Sequence, residues 1–195
     1  MKIEKQRWNY LWNEWIKPIL VAAIFALFIR TFIIQPFKIP SGSMYPTLKP
    51  GDRIFVSKLA YGAKIPFTPM RVPGFTHPKS GDIVVFYSSV EKKKYLIKRF
   101  IAAGGDTVLI KDGKLFVNEK EINNAPFGRF FYHNMGEHGG EKVTVPEGNF
   151  YVLGDNSTNS QDSRYWGFVP EKNLVGRAVL IHWPVKRIRL LRDGD

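Results

Sequence analysis

Residues 81–118 read GDIVVFYSSVEKKKYLIKRFIAAGGDTVLIKDGKLFVN, and this stretch decides the fold class. Runs of β-branched and aromatic residues (IVVFYSS, YLIKRFI, TVLI, KLFVN) are separated by turn formers, the composition of short strands. Gly81-Asp82 and Gly105-Asp106 precede two of the runs. Glycine accepts positive φ and aspartate bonds back to nearby backbone, so the dipeptide marks turns. Lys111-Asp112-Gly113-Lys114 carries a hairpin signal between two runs. Moving outward, Gly51-Asp52 precedes RIFVSKL, and Gly154-Asp155 follows the strand FYVL. Residues 174–183 form one more strand, stopped by Pro184. No helical period appears after Lys38. The expectation is a mainly β domain, a barrel or stacked sheets. Residues 63–80, with Pro66, Pro69, Pro73 and Pro78, cannot pair as a central strand and read as a long loop. Residues 123–147, rich in glycine, aromatics and histidine, read as another.

Ahead of this domain lies a segment of another kind. Residues 19–34 are ILVAAIFALFIRTFII, and with residues 16–18 the run is long enough to span a bilayer. Arg30 near its far end can extend to the headgroups. Trp8, Trp12 and Trp15 stand where an interfacial belt belongs. Lys2, Lys5, Arg7 and Lys17 precede the run, so the positive-inside rule places the N-terminus in the cytoplasm. The basic stretch 186–192 is the counter-signal. A cleaved signal peptide and a buried core helix are the alternatives. Arg30 and the bulky residues after it favour a retained signal-anchor. The expected organisation is a basic cytoplasmic tail (1–15), a transmembrane signal-anchor in the cytoplasmic membrane (16–36) and an extracytoplasmic β-rich domain (37–195).

Composition narrows the chemistry. The chain has 195 residues, 44% of them hydrophobic, which supports a real core. Its net charge of +12 points to anionic partners, and the membrane segment favours anionic lipid over nucleic acid. With no cysteine, disulfides, cysteine–zinc sites and thiol catalysis are excluded.

Immediately after the apolar run comes IPSGSMYPTL, residues 39–48. Gly42, Pro40 and Pro46 hold the backbone on a fixed path that can present the Ser43 hydroxyl and leave backbone N–H groups for an oxyanion. A nucleophilic serine needs a base. His77, His133, His138 and His182 are the only histidines, all in loops or near the last strand, and no G-x-S-x-G elbow exists. His133, Glu137 and His138 fit no zinc spacing, so no metal is expected. Lysine remains. Lys98 sits inside the apolar strand YLIKRFI, and burial would lower its pKa and make the amine a usable base. An outward-facing lysine on a two-sided strand is the plain alternative. The third segment, GDNSTNSQDSRYWGFVP (154–170), is dense in hydrogen-bonding groups and ends in aromatics that want burial. It reads as a polar network pinned against a core.

These blocks in this order, PSGSMYPTL, GDIVVF, IKRFIAAGGD and GDNSTNSQDSRYWGFVP, resemble the bacterial type I signal peptidases, which use a Ser–Lys dyad. The resemblance runs from about residue 16 to 183. It implies a membrane-anchored serine endopeptidase that removes signal peptides from exported preproteins, without metal or cofactor. It makes Ser43 the nucleophile and Lys98 the base, with the Ser41 hydroxyl and the Ser43 N–H as oxyanion hole. By the same resemblance Ser160 would hydrogen-bond and orient the Lys98 amine, and Asp162 with Arg164 would form an ion pair bracing the loop. Phe37, Ile39, Met44, Leu48 and Ile97 shape the substrate pockets. Ser157 and Thr158 stand where many members carry Arg and Asp, and Ala102-Ala103-Gly104 replaces a more usual turn. Two rivals are a self-cleaving Ser–Lys regulator and a tethered, non-catalytic β-barrel. The first needs an N-terminal DNA-binding domain where this chain has an apolar run.

Overall fold

The computed structural model describes Trp8 and residues 10–68, 70–90 and 94–192. Helix α1, Trp12–Ile33, is 22 residues long, and none of its most apolar stretch is buried within the protein. At 1.5 Å per residue it reaches roughly 33 Å, about the thickness of a bilayer's hydrocarbon core. The buried-core-helix alternative therefore fails. Its first and last turns, Trp12–Ile16 and Ile29–Ile33, are widened to the π form. Trp12 and Trp15 belong to the helix rather than preceding it, and Lys2, Lys5 and Arg7 lie outside the described residues.

The helix stops sooner than the apolar run suggested. Ile34 turns extended, with φ −141° and ψ 140°, and strand β1, Ile34–Lys38, begins there without a linker. The helix itself thus covers Trp12–Ile33, starting four residues earlier and ending three earlier than the segment 16–36 expected as the anchor. Pro36 contributes: it disfavours the helical region for Gln35 and cannot continue a helix itself, and Ile34–Lys38 pair with β2 instead. Proline is tolerated here because β1 pairs on one side only, with β2, Arg53–Ser57.

The β domain has two antiparallel sheets, as the alternation of strands and turns predicted. The larger orders its strands β1-β2-β11-β3-β4-β9-β10. Here β3 is Ile83–Tyr87, β4 Tyr95–Ala103, β9 Asn149–Leu153, β10 Val169–Pro170 and β11 Leu174–Trp183. Strand β12, Arg189–Leu190, pairs the end of β11. The smaller sheet orders β7-β6-β5-β8, from Lys120–Glu121, Lys114–Val117, Thr107–Lys111 and Val143–Thr144. Bulges in β11 and β4 curl the large sheet. The β8 strand lies within residues 123–147, where the sequence predicts loop alone. Two residues are too few to leave a periodic signal.

Three of the Gly-Asp turns share one construction. Gly51, Gly81 and Gly105 take φ of 92°, 102° and 86°. The following Asp52, Asp82 and Asp106 carboxylates accept from the backbone N–H three residues earlier, at 2.8, 2.9 and 2.9 Å. In the β5–β6 hairpin Asp112 and Gly113 both have positive φ, 51° and 77°, the geometry whose twist matches the flanking strands.

Strand β4 organises the site. Its first half pairs β3, from Tyr87↔Tyr95 to Ile83↔Arg99, and its second half pairs β9 from Arg99 onward. Residues 95–98 therefore have a strand neighbour on the β3 side alone. Beneath them a core of Ile39, Met44, Leu48, Ile54, Val56 and Val85 closes the space between β1 and β4.

Candidate active site

Ser43 lies in a turn held by its carbonyl groups. Tyr45 N–H and the Asn156 side-chain amide donate to the Gly42 carbonyl at 3.0 and 3.1 Å. The Asn156 N–H donates to the Ser43 carbonyl at 3.0 Å, and Leu48 N–H to Met44 at 2.8 Å. The turn is thus fastened to the 154–170 segment, over a hundred residues away. Gly154 lies where a Cβ would meet both the Ser160 side chain and, at 2.6 Å, the Ser43 carbonyl oxygen, so glycine alone allows the two chains so close.

The Lys98 amine reaches this turn. Lys98 is 4% exposed, and its Nζ lies 2.8 Å from Ser43 Oγ. The outward-facing alternative is excluded. Burial lowers the Lys98 pKa to about 8. The Asp162 and Asp155 carboxylates pull the other way, and the Arg164 and Lys94 cations add to the lowering. Desolvation wins because both carboxylates already have arginine partners. Ser41 Oγ is 3.4 Å from Ser43 Oγ, on the exposed side of the turn.

Asp162 and Arg164 form a fully buried pair, with Arg164 Nε donating to Asp162 Oδ1 at 2.8 Å and Nη2 to Oδ2 at 2.9 Å. Asp162 also accepts from Arg164 N–H, capping the short helix α2, Ser163–Trp166, and from Gly154 N–H at 2.9 Å. Arg164 Nη1 donates to the His133 carbonyl at 2.9 Å and to Ser157 Oγ at 2.6 Å, while His133 N–H donates to the same hydroxyl at 2.8 Å. Ser157 thus ties the 123–147 loop to the buried pair.

Ser160 departs from expectation. It is buried, but its hydroxyl makes no hydrogen bond among the described residues, so it does not bond to the Lys98 amine. The small side chain is directed against Gly154 instead. The pocket residues also divide. Ile39, Met44 and Leu48 are fully within the core, and Phe37 and Ile97 pack half-buried on it. The first three thus lie beneath the surface, and the last two are partly exposed above them. The Phe37 ring meets Tyr95 edge-on at 5.0 Å.

Sequence reasoning missed a second buried pair. Arg99 Nε and Nη2 donate to the two Asp155 oxygens at 2.7 and 2.6 Å, and Nη1 to the Gly81 carbonyl at 2.6 Å. Thr47 Oγ1 donates to Asp155 at 2.5 Å. One network therefore joins the neighbour of Lys98, the turn after Ser43 and the Gly154 loop. The signal was present: Arg99 is a second cation inside the same apolar strand, and Gly154-Asp155, unlike Gly51-Asp52, Gly81-Asp82 and Gly105-Asp106, follows its strand. His182 stacks on Phe55 at 4.2 Å, and no group of His, Cys, Asp or Glu among the described residues is placed to hold a metal ion.

An apolar helix leading into a curled β sheet, with a serine hydroxyl held on a buried lysine amine, is the build of a β-fold serine peptidase. Comparison with known proteins gives the family. The profile described as signal peptidase, peptidase S26, matches residues 12–183, and the chain belongs to that family. It is 37% identical over 187 residues to a probable signal peptidase I-2 of Synechocystis sp., covering 93% of this chain and 78% of the relative. Signal peptidase I of Leptolyngbya laminosa is 37% identical over 182 residues, 90% of this chain and 81% of its own. Signal peptidase I T of Bacillus subtilis is 34% identical over 197 residues, 96% of this chain and 93% of its own.

Proposed function

We propose that the protein is a membrane-anchored endopeptidase that removes N-terminal signal peptides from preproteins, with Ser43 as nucleophile and Lys98 as general base. The observation that carries this reading is the 2.8 Å contact between Ser43 Oγ and the buried Lys98 amine, whose pKa is lowered to about 8. A neutral amine at that distance can take the hydroxyl proton as the oxygen attacks the scissile carbonyl. The new Oγ–C bond gives a tetrahedral oxyanion, received by the Ser41 hydroxyl and the Ser43 N–H. The C–N bond then breaks, Lys98 returns its proton to the leaving amine, and the mature protein departs. Water, deprotonated by the same lysine, hydrolyses the acyl-enzyme and frees the signal peptide.

Substrate docks as an added strand in this reading. The free edge of β1 and the half-paired residues 95–98 of β4 face a common core, so an extended leader can lie between them with alternate side chains directed inward. Positions −1 and −3 then meet the floor of Ile39, Met44 and Leu48 between the walls of Phe37 and Ile97. Asp162–Arg164 and Arg99–Asp155 hold the dyad segments together, and Ser160 fills the space against Gly154. The β domain lies outside the cytoplasmic membrane, with the N-terminus inside, because basic residues precede α1. Ser43 follows the helix by ten residues, which sets the dyad near the bilayer surface where a membrane-held leader ends. The test is cleavage of a preprotein by the purified full-length chain. Ser43→Ala should abolish it, and cleavage surviving in that variant would discard the assignment.

A further inference from the structure

The register of the large sheet brings one end of it against the exit of α1. Ile34 pairs Ser57, Ser57 pairs Arg177, and Tyr87 pairs Tyr95. Beyond Ser57 the chain enters the proline-rich 63–80 loop. A cleft of about 710 Å³ lies between that loop and the helix. Leu27, Arg30 and Thr31 form its helix side, and Lys58, Lys64 and Phe67 lie across from them.

Three features of this cleft need an explanation. First, its lining includes Arg30, Lys58, Lys64 and Arg71 and, among the described residues, no carboxylate. Arg71 is turned to structure, donating to the Gly62 and Leu174 carbonyls. Lys58 donates to the Arg30 and Thr31 carbonyls at 3.2 Å each, which leaves one of its three N–H groups for another acceptor. Second, partial burial and the neighbouring Arg30 cation both lower the Lys58 pKa. Two exposed cations, Arg30 and Lys64, are thus gathered about a partly buried lysine, an arrangement that an anion relieves. Third, Phe67 is fully exposed at the tip of the loop and has φ of 61°, unfavourable for a residue with a Cβ. The loop is closed by Ile65 N–H donating to the Met70 carbonyl at 3.0 Å. Met70 and Phe75 are exposed beside it.

We propose that the cleft binds the phosphate of an anionic phospholipid in the leaflet around the C-terminal end of α1, with Arg30, Lys58 and Lys64 on the phosphate and Phe67 among the acyl chains. The inference rests on the reading of α1 as membrane-embedded. Cations at headgroup level and an apolar side chain beside a spanning helix are complementary to lipid on both counts. A signal peptide suits the cleft poorly, since its charged end is itself cationic and the rest is apolar. The site gives the β domain a second hold on the membrane, limiting its swing about the α1–β1 junction.

The experiment uses the full-length protein in nonionic detergent. Phosphatidylglycerol, phosphatidylcholine and inorganic phosphate are titrated separately, and bound adducts are read by native mass spectrometry. Phosphatidylglycerol should bind about tenfold tighter than either alternative, and Lys64→Gln should weaken it about fivefold, as should Arg30→Gln. Phe67→Ser should weaken the lipid without changing inorganic phosphate. Equal binding of the two lipids, or indifference to Lys64→Gln, would overturn the site. Inorganic phosphate as tight as lipid would make it a free-anion site. Displacement of the lipid by a signal peptide would assign the cleft to the leader. Peptide cleavage by the same samples keeps the two readings apart: normal, Ser43-dependent cleavage with no lipid preference sinks the lipid site alone.

Discussion

Raising the pH from 7 to 9 should increase kcat/KM for a preprotein about tenfold, with a midpoint near 8, because the free Lys98 amine is the reactive form. At a pKa of about 8, the free-amine fraction is about 9% at pH 7 and about 91% at pH 9, after which the rate levels. An exposed lysine, with a pKa near 10.4, would instead be about 0.04% free at pH 7 and about 4% at pH 9, a hundredfold rise still climbing at pH 10. The midpoint and the plateau therefore separate a buried base from an exposed one. Lys98→Arg keeps charge and most of the bulk, but a guanidinium cannot give up its proton, so its rate should fall about a thousandfold. The same shift has a stability signature. The folded-state pKa lies below the unfolded value, so the unfolded chain binds the proton more readily between them, and stability rises as pH climbs from about 8 to about 10.5. Below that window the buried amine costs about 3 kcal/mol. Lys98→Met should therefore unfold at higher temperature than wild type at pH 7, with the difference shrinking above pH 10. The assays are initial rates on one preprotein and thermal unfolding in detergent across pH. A pH-independent rate from 6 to 9, or near-normal turnover by folded Lys98→Arg, would refute the reasoning.

Asp155→Asn leaves the buried Arg99 guanidinium without its bidentate carboxylate and should cost about 3–5 kcal/mol, seen as a lowered unfolding temperature. No change there would mean that the network is incidental. A preprotein with Phe in place of Ala at −1 should be cut about ten- to a hundredfold more slowly in the proposed docking mode, since Ile39, Met44 and Leu48 are already closely packed and overpacking costs about 1–3 kcal/mol. Equal rates for Ala and Phe would refute the pocket assignment. Protease added outside intact spheroplasts should digest residues after Lys38 and spare the N-terminus, and the reverse pattern would invert the topology.

Much of this protein is legible along the chain, because some physics is local. The helix of 22 residues announces itself by the apolar run 18–29 at its centre, and the turns at Gly51, Gly81 and Gly105 by a dipeptide whose bonds close within four residues. The serine and lysine segments were identifiable because residue types and flanks limit which groups can act as nucleophile and base. The helix end at Ile33 was only partly legible from Pro36, which restricts Gln35 but not the extended Ile34, and the apolar run through Ile34 masked it.

What only the tertiary structure decided depends on distances that no local pattern encodes. Ser43 and Lys98 are 55 residues apart, and their 2.8 Å contact follows from the packing of the Ser43 turn against β4 and the Asn156 loop. The burial that lowers the Lys98 pKa is a property of the surrounding fold, since the same lysine on a two-sided strand would point to water. Arg99 and Asp155 looked like a strand cation and a turn residue until the register set them together. Ser160 was assigned to the lysine by position in a motif, whereas the chain path past Gly154 directs its hydroxyl elsewhere. Composition and period specify which segments become strand, turn or helix, because those preferences are summed over a few neighbours. Which buried charges meet is set by the closing of a curled sheet over one core, and that requires the whole chain.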